Sequence, residues 1–330
     1  MTEHKPVMLN EAMKFLNLKN SGLYLDCTFG AGGYTSKILE QENTKVVAID
    51  RDPSTEKYAN DLKKRFGQRI DYISDNFRNL KKFVEQGIKF DGVLYDLGAS
   101  SMQFDIKERG FSFQEDARLD MRMGNNQISA YDVVNSYSEK QLSDILFFFG
   151  GENKSRKIAS EIIKKREQEP IKSTMQLASL VSSIVRFKRK IHPATKTFQA
   201  IRIEVNEEID SLKESLKWLP KILKDSGRVV IVTFHSVEDR IVKNFFQENS
   251  NKRIAASKYK KTSSQDFSDE NEQNYKTDEQ NYNIAKEGKP FKLVSKKVIK
   301  PPEDEVRENS RARSAKLRVV EKMEEVWMRQ

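Results

Sequence analysis

The chain has 330 residues, 37% of them apolar and 33% charged, and 59 Lys and Arg against 49 Asp and Glu leave a formal net charge of +10. That describes a globular chain with a heavily charged exterior, long enough for about two domains or for one domain with a large insertion. The sequence has no apolar run of about 18 residues, no apolar signal-peptide core near residue 1, a single cysteine (Cys27) and three scattered histidines, which argues against membrane spanning, secretion, an intrachain disulfide and a zinc site. No metal is expected, and a reducing cytoplasm fits best. The positive charge suits a polyanionic partner or a solvated surface equally well.

Met8, Leu9, Ala12, Met13 and Leu16 recur at helical spacing and predict an amphipathic helix before a first strand at 23–25. A second apolar run at 46–49 ends at Asp50. Asp52 and Pro53 then supply an N-cap and a first-turn proline for a helix running to about residue 65. A short strand at 71–73, a helical stretch over 79–86 and a fourth strand at 92–95 ending at Asp96 follow. Strands alternating with helices imply right-handed crossovers and a mostly parallel sheet.

The alternation stops near residue 105 and resumes at 229–232. The intervening pattern is helical. Ser138 with Gln141 and Ser173 with Gln176 are capping-box pairs, each ahead of an apolar stripe. Val205, Ile209, Leu212, Leu216 and Leu219 form one stripe, expected as a single helix returning to the sheet. The reading is an inserted all-helical subdomain over 106–212, with 1–105 and 213–330 forming the sheet domain. Ser236 with Asp239 is expected to cap the helix after the 229–232 strand. Residues 249–289, poor in aliphatic side chains, read as a mobile loop. Runs at 292–298 and 315–320 predict two final strands, an antiparallel edge.

The segment from Asp26 to Gly33 sits between the first strand and a helix, where a backbone without Cβ atoms can approach a ligand closely. Thr35 stands where the third glycine of G-x-G-x-x-G would be, which weakens a dinucleotide reading. Asp50, 18 residues beyond Gly32, ends the second strand, where a carboxylate can accept hydrogen bonds from both ribose hydroxyls. No phosphate-binding lysine accompanies the loop. These features favour S-adenosylmethionine over ATP or NAD, because a sulfonium carries no phosphate and its positive charge and amino group suit carboxylates such as Asp26 and Asp96. Asp75 offers a further adenosine contact, or equally a turn.

Further motifs are Asp96-Leu97-Gly98-Ala99-Ser100-Ser101, Arg109-Gly110-Phe111-Ser112-Phe113 and Leu119-Asp120-Met121-Arg122-Met123. Later come His192-Pro193-Ala194-Thr195-Lys196-Thr197-Phe198-Gln199-Ala200-Ile201-Arg202, Phe234-His235-Ser236-Val237-Glu238-Asp239-Arg240 and Arg311-Ala312-Arg313-Ser314-Ala315-Lys316-Leu317-Arg318. With these the sequence resembles, over effectively its full length, the bacterial small-subunit (16S) ribosomal RNA cytidine-N4 methyltransferases. The resemblance implies an α/β class I (Rossmann-like) methyltransferase fold, a mostly parallel sheet with an antiparallel edge and an inserted helical substrate-recognition domain. It implies methyl transfer from S-adenosylmethionine to N4 of a cytidine in the decoding region of 16S rRNA, and cofactor contacts at Gly32, Gly33, Tyr34, Asp50, Phe77, Asp96 and Gln103. Tyr34 stands where the family often has histidine, Lys196 replaces a common arginine, and Ser310 replaces a usual proline. The implied partner is 16S rRNA within the small ribosomal subunit, with no membrane and with room for a homodimer.

The N4 lone pair of cytosine is delocalised into the ring, so an acceptor drawing on one N4–H helps the nitrogen react. Asp96 is the first candidate for that role or for a cofactor contact, and His235 the second catalytic candidate. Arg109, Phe111, Arg186, Lys188, Arg189, Lys190, His192 and Lys196 are candidate RNA contacts, the cations for phosphates and Phe111 for stacking a splayed base. Lys154, Arg156, Lys157, Lys164, Lys165 and Arg166 add charge on a predicted helix. Phe111 and Phe113 read equally as core. Two other functions compete: a nicotinamide oxidoreductase, opposed by Thr35, and a non-catalytic RNA-binding ribosome assembly factor, opposed by the intact cofactor loop.

Overall fold

In the computed structural model, which describes residues 6–185, 192–250, 288–295 and 297–324, seven strands form one sheet. They are β1 (Leu23–Asp26), β2 (Lys45–Asp50), β3 (Ile70–Ser74), β4 (Phe90–Asp96), β5 (Leu223–Thr233), β6 (Phe291–Leu293) and β7 (Lys316–Lys322). The spatial order is β3-β2-β1-β4-β5-β7-β6, parallel from β3 to β5, with β7 antiparallel to both β5 and β6. The fold class and the antiparallel edge are as expected. β6 is shorter than its predicted run because the chain turns after Leu293, where the Ser295 hydroxyl donates to the carbonyl of Lys297.

Helices α1 (Leu9–Leu16), α2 (Gly33–Glu40) and α3 (Glu56–Phe66) cover one face of the sheet, where Leu16, Ile38, Leu39 and Ala59 are buried with Tyr24, Val46 and Val230. α4 (Lys81–Glu85) contributes Phe83 to the other face. β4 is buried at every residue except Asp96, as a strand covered on both faces must be. The short α5 (Ser101–Asp105) follows.

The chain then builds a separate apolar cluster from Leu119 to Val205, using α6 (Ala130–Ser136), α7 (Glu139–Phe148), α8 (Ser155–Gln168), α9 (Thr174–Ile184) and α10 (Thr195–Val205). The two expected capping boxes are present: Ser138 and Ser173 cap α7 and α9, with Gln141 and Gln176 returning the contact. The single long helix expected over 205–219 is two. α10 ends at Val205, Glu207 adopts φ +47°, and α11 (Glu208–Ile222) starts anew, burying Leu212, Leu216 and Leu219 in the core of the sheet. The break has a polar cause. The carbonyls of Val205 and Asn206 are taken by the Asn126 and Arg51 side chains, each at 2.5 Å, while the buried Asn206 side chain donates to the Met121 carbonyl at 2.7 Å and accepts from Met123 N at 2.8 Å.

α12 (Ser236–Glu248) and α13 (Glu303–Glu308) complete the helices among the described residues. Of the 249–289 stretch, residues 251–287 lie outside the described residues. At its ends Phe291 N donates to the Asn249 carbonyl at 3.1 Å.

Candidate active site

β1 and β4 are neighbours, while the chain proceeds from β1 to β2 on the other side, so the strand order reverses between β1 and β4. Open α/β sheets hold ligands in the crevice outside the carboxyl ends at such a reversal. A cleft of about 600 Å³ lies there, lined from the first loop by Thr28–Ala31, Gly33 and Tyr34, and from the strand ends by Asp50 and Asp96. Phe77 and Gln103 also line it.

The glycine loop is braced from below by carboxylates. Asp50 accepts from Gly30 N at 2.7 Å and from Asp52 N at 2.8 Å, and Asp26 accepts from the Thr35 hydroxyl at 2.7 Å. Thr35, which spoils the dinucleotide pattern, is therefore fully buried and serves Asp26. Gly32 has φ +78°, and a Cβ there would lie 2.8 Å from both Leu62 and Phe29. Its N–H is spent on the Phe29 carbonyl, so Gly32 shapes the loop from behind while Gly33 reaches the cleft wall. Pro6 packs so closely on Gly33 that a Cβ would meet its ring at 2.2 Å. The Tyr34 hydroxyl donates to the Val7 carbonyl, pinning that segment over the loop. Phe77 packs edge-on against Tyr95 with centroids 5.6 Å apart. Gln103 closes a capping box with Ser100 and donates to Asp52 at 2.9 Å. Asp75 faces the cleft but is paired with Lys82 at 2.8 Å.

Desolvation pushes the carboxyls of Asp26 and Asp50 up to about 6. Burial pushes Asp96 well above the usual carboxylate range, helped by the negative charges of Asp26, Glu238 and Glu305. Its backbone N–H donates to the Thr28 hydroxyl at 2.6 Å, whereas Oδ1 is buried without a hydrogen-bond partner among the described residues. An orphaned oxygen of this kind marks a position awaiting a donor or a cation.

Several expected RNA contacts are used otherwise. Arg109 pairs with the buried Asp52 and donates to the carbonyls of Arg122 and Met123 at 2.9 and 3.2 Å, so its donors bind protein. Phe111 is 5% exposed and packs against Phe104 and the Arg109 guanidinium, which rules it out as an open stacking platform. His192 stacks on Phe113 with centroids 4.6 Å apart and accepts from Ala194 N at its Nδ1. Lys196 is exposed but donates to the Gly151 carbonyl at 2.7 Å. Lys154 and Arg166 likewise bind the carbonyls of Ile184 and Val134. Arg186, Lys188, Arg189 and Lys190 lie outside the described residues.

His235 is itself the N-cap of α12, accepting from Glu238 N at 3.4 Å while its Nε2 lies 2.9 Å from Glu238 Oε1. The capping expected of Ser236 with Asp239 is thus performed by His235 with Glu238, and Asp239 instead pairs with Lys316 and Arg318. Phe234, not His235, lines the cleft. Glu208, His235 and Glu238 bring ligand-type atoms within 4.8 Å of one another, but both oxygens of Glu208 are taken by Arg202, making this an ion-pair network. The sequence reading missed that Arg202 and Arg311 reach the cleft. Both sit in motifs singled out for resemblance alone, and only the folded chain shows where they point.

The sheet order, the glycine loop after β1 and the carboxylates ending β2 and β4 define a class I methyltransferase fold with a nucleoside-type cleft. The chain belongs to the MraW methylase family, whose model matches residues 1–323. It is 45% identical over 322 residues to the ribosomal RNA small subunit methyltransferase H of Rickettsia akari, covering 97% of this chain and 98% of that one. The protein of the same name from Rickettsia bellii is 46% identical over 321 residues, covering 97% and 99%. Among solved structures, an rRNA methylase from Streptococcus thermophilus aligns over 98% of this chain and 99% of its own, at 10% identity and a TM-score of 0.39. Among the described residues no helix is long and apolar enough to cross a membrane.

Proposed function

We propose that the protein transfers a methyl group from S-adenosylmethionine to N4 of a cytidine in small-subunit (16S) rRNA, in the cytoplasm, with the assembled subunit as the acceptor. The observation that carries this reading is the buried, unpartnered Oδ1 of Asp96 beside the glycine loop. The names of the close relatives support the acceptor class.

The cleft suits such a cofactor chemically: it presents the carboxylates of Asp50 and Asp96, and the glycine loop contains no lysine. When bound, the cofactor supplies an electrophilic methyl group on a sulfonium. Asp50 spends one hydrogen bond on each oxygen and keeps lone pairs for ribose hydroxyls. Phe77 offers an apolar wall. Beside a cationic cofactor the raised Asp96 carboxyl ionises; its Oδ1 then accepts from an N4–H of the base, turns the nitrogen lone pair out of conjugation, and takes up the proton as the new bond forms. Methyl transfer is an in-line displacement, so positioning and exclusion of water supply much of the acceleration. The 106–212 insertion selects the RNA in this scheme, and the cytidine leaves its stack to enter the cleft at a cost of a few kcal/mol. His235 acts by holding the start of α12.

Methylation of ring carbon five requires a cysteine nucleophile on the pyrimidine. Cys27 is 1% exposed, and burial pushes its thiol well above the usual range, so no thiolate is on offer. The test is methyl transfer from labelled cofactor to unmodified small subunits and to naked rRNA, followed by mass spectrometry of the nucleosides. N4-methylcytidine, made faster on subunits, is the expected product; 5-methylcytidine would overturn the proposal.

A further inference from the structure

The cleft has a charged wall to which the cofactor contacts proposed above assign no role. Arg202, on α10, lines it together with Thr195, Met123 and Phe234. Its Nε and Nη2 each donate to Glu208 at 2.8 Å, a planar fork between side chains only 13% and 11% exposed. The remaining nitrogen, Nη1, makes no hydrogen bond among the described residues. Glu238 lies close enough to help hold Arg202 charged, and the same carboxylate raises Asp96. Arg202 and Asp96 therefore face one cleft and feel the charge of the same acidic side chain.

A guanidinium only donates, and Asp96, ionised when a cationic cofactor lies beside it, only accepts. Along its pairing edge cytosine presents the N4 amino donor and then the N3 and O2 acceptors, whereas uracil presents an acceptor at position 4 and a donor at N3. A base whose amino group points at Asp96 Oδ1 turns its acceptors to the neighbouring wall. Uracil in that pose sets an acceptor against the carboxylate and a donor against the guanidinium. Arginine held in a bidentate grip loses little freedom when it binds, so the discrimination is built in before the base arrives.

We propose that Arg202, positioned by Glu208, is the specificity-determining residue that donates to the ring acceptors of the target cytosine while its amino group meets Asp96. This rests on the methyl-transfer reading above and deepens it. Leaving such a base edge mismatched typically changes affinity by about 10- to 100-fold.

The test is calorimetric binding of CMP and UMP to the full-length protein saturated with sinefungin, a cofactor analogue whose ammonium keeps a positive charge beside Asp96. The wild-type protein is expected to prefer CMP by about tenfold or more. Removing Arg202 alone strands Glu208 in a buried site, so the variant of choice is Arg202→Met with Glu208→Gln, which deletes both charges. It should bring the two nucleotides within about twofold of each other and leave sinefungin affinity unchanged. Arg202→Lys, which keeps the charge and loses the fork, serves if the double variant does not fold; it should raise KM for small subunits more than it lowers kcat. A CMP preference surviving in the double variant, an unchanged KM for small subunits in Arg202→Lys, or no CMP preference in the wild-type protein overturns the role of Arg202. Failure of the underlying reading shows separately, as absence of N4-methylcytidine from wild-type reactions.

Discussion

At the loop end of the cleft the bracing contacts are made within the first β-α-β unit: Thr35 to Asp26, Gly30 to Asp50, Asp52 to Asp50. At the acceptor end they join distant parts of the chain: Arg109 to Asp52, Asn206 to Met121, Arg51 to the Asn206 carbonyl 155 positions away. The first kind of site follows from strand, turn and helix signals, because the backbone does the shaping. The second depends on which polar side chains find protein partners, and a cation looks the same in sequence whether it binds a phosphate or a buried aspartate. The acceptor end is also where the insertion joins the sheet, so on the proposed reading substrate selection and domain docking share residues.

The largest separation of the two kinds comes from Arg109→Met. It strands Asp52, whose side chain is 3% exposed, and should cost roughly 3 kcal/mol in chemical denaturation. The salt dependence of RNA binding should not change, whereas loss of a phosphate contact would reduce its slope by about 0.7–0.9. Gly32→Ala, at the loop end, meets both an unfavourable φ of +78° and contacts at 2.8 Å. Its expected cost is about 1–3 kcal/mol, read from the denaturation midpoint with cofactor present and absent.

Proton linkage gives a smaller effect confined to the loop end. Asp26 and Asp50, with folded values of about 6, are largely protonated at pH 5 and ionised at pH 7.5. A cationic ligand favours the ionised forms, so S-adenosylmethionine affinity should rise about tenfold over that interval and then level off, with protons released on binding near pH 6. In the free protein these two groups act in the opposite sense. Their folded values exceed the unfolded ones, so they remove stability as pH rises from about 4 to 6, and the ligand restores it. The smallest effect is expected at Lys196→Ala, whose exposed side chain caps a carbonyl. Thermal unfolding should register less than about 1 kcal/mol.

Much of the sheet was legible because its signals are local. The runs ending at Asp50 and Asp96, the Asp52 cap and the two capping boxes all depend on residues a few positions apart. The 205–219 stripe misled because apolar periodicity continues through Asn206, whose partners Met121 and Met123 lie more than 80 positions earlier. His235 was open between a catalytic and a structural role; the structure uses it as the N-cap of α12, since imidazole can cap a helix as a hydroxyl does, and nothing in its spacing distinguishes the uses. Phe111 was open between stacking and core, and the contact with Phe104 decides for the core. Arg202 was in view only as the last letter of a motif, since its bidentate partner lies across the helix break.

The two ends of the cleft meet at Asp96, and the most direct test is the single-turnover rate of methyl transfer by Asp96→Asn on small subunits with both ligands saturating. The amide keeps the size of the side chain and a hydrogen-bond acceptor but loses the base that takes up the N4 proton. The rate should fall at least about 100-fold, the scale of a missing proton acceptor, with subunit affinity within about threefold of wild type. A single-turnover rate close to wild type would contradict the account.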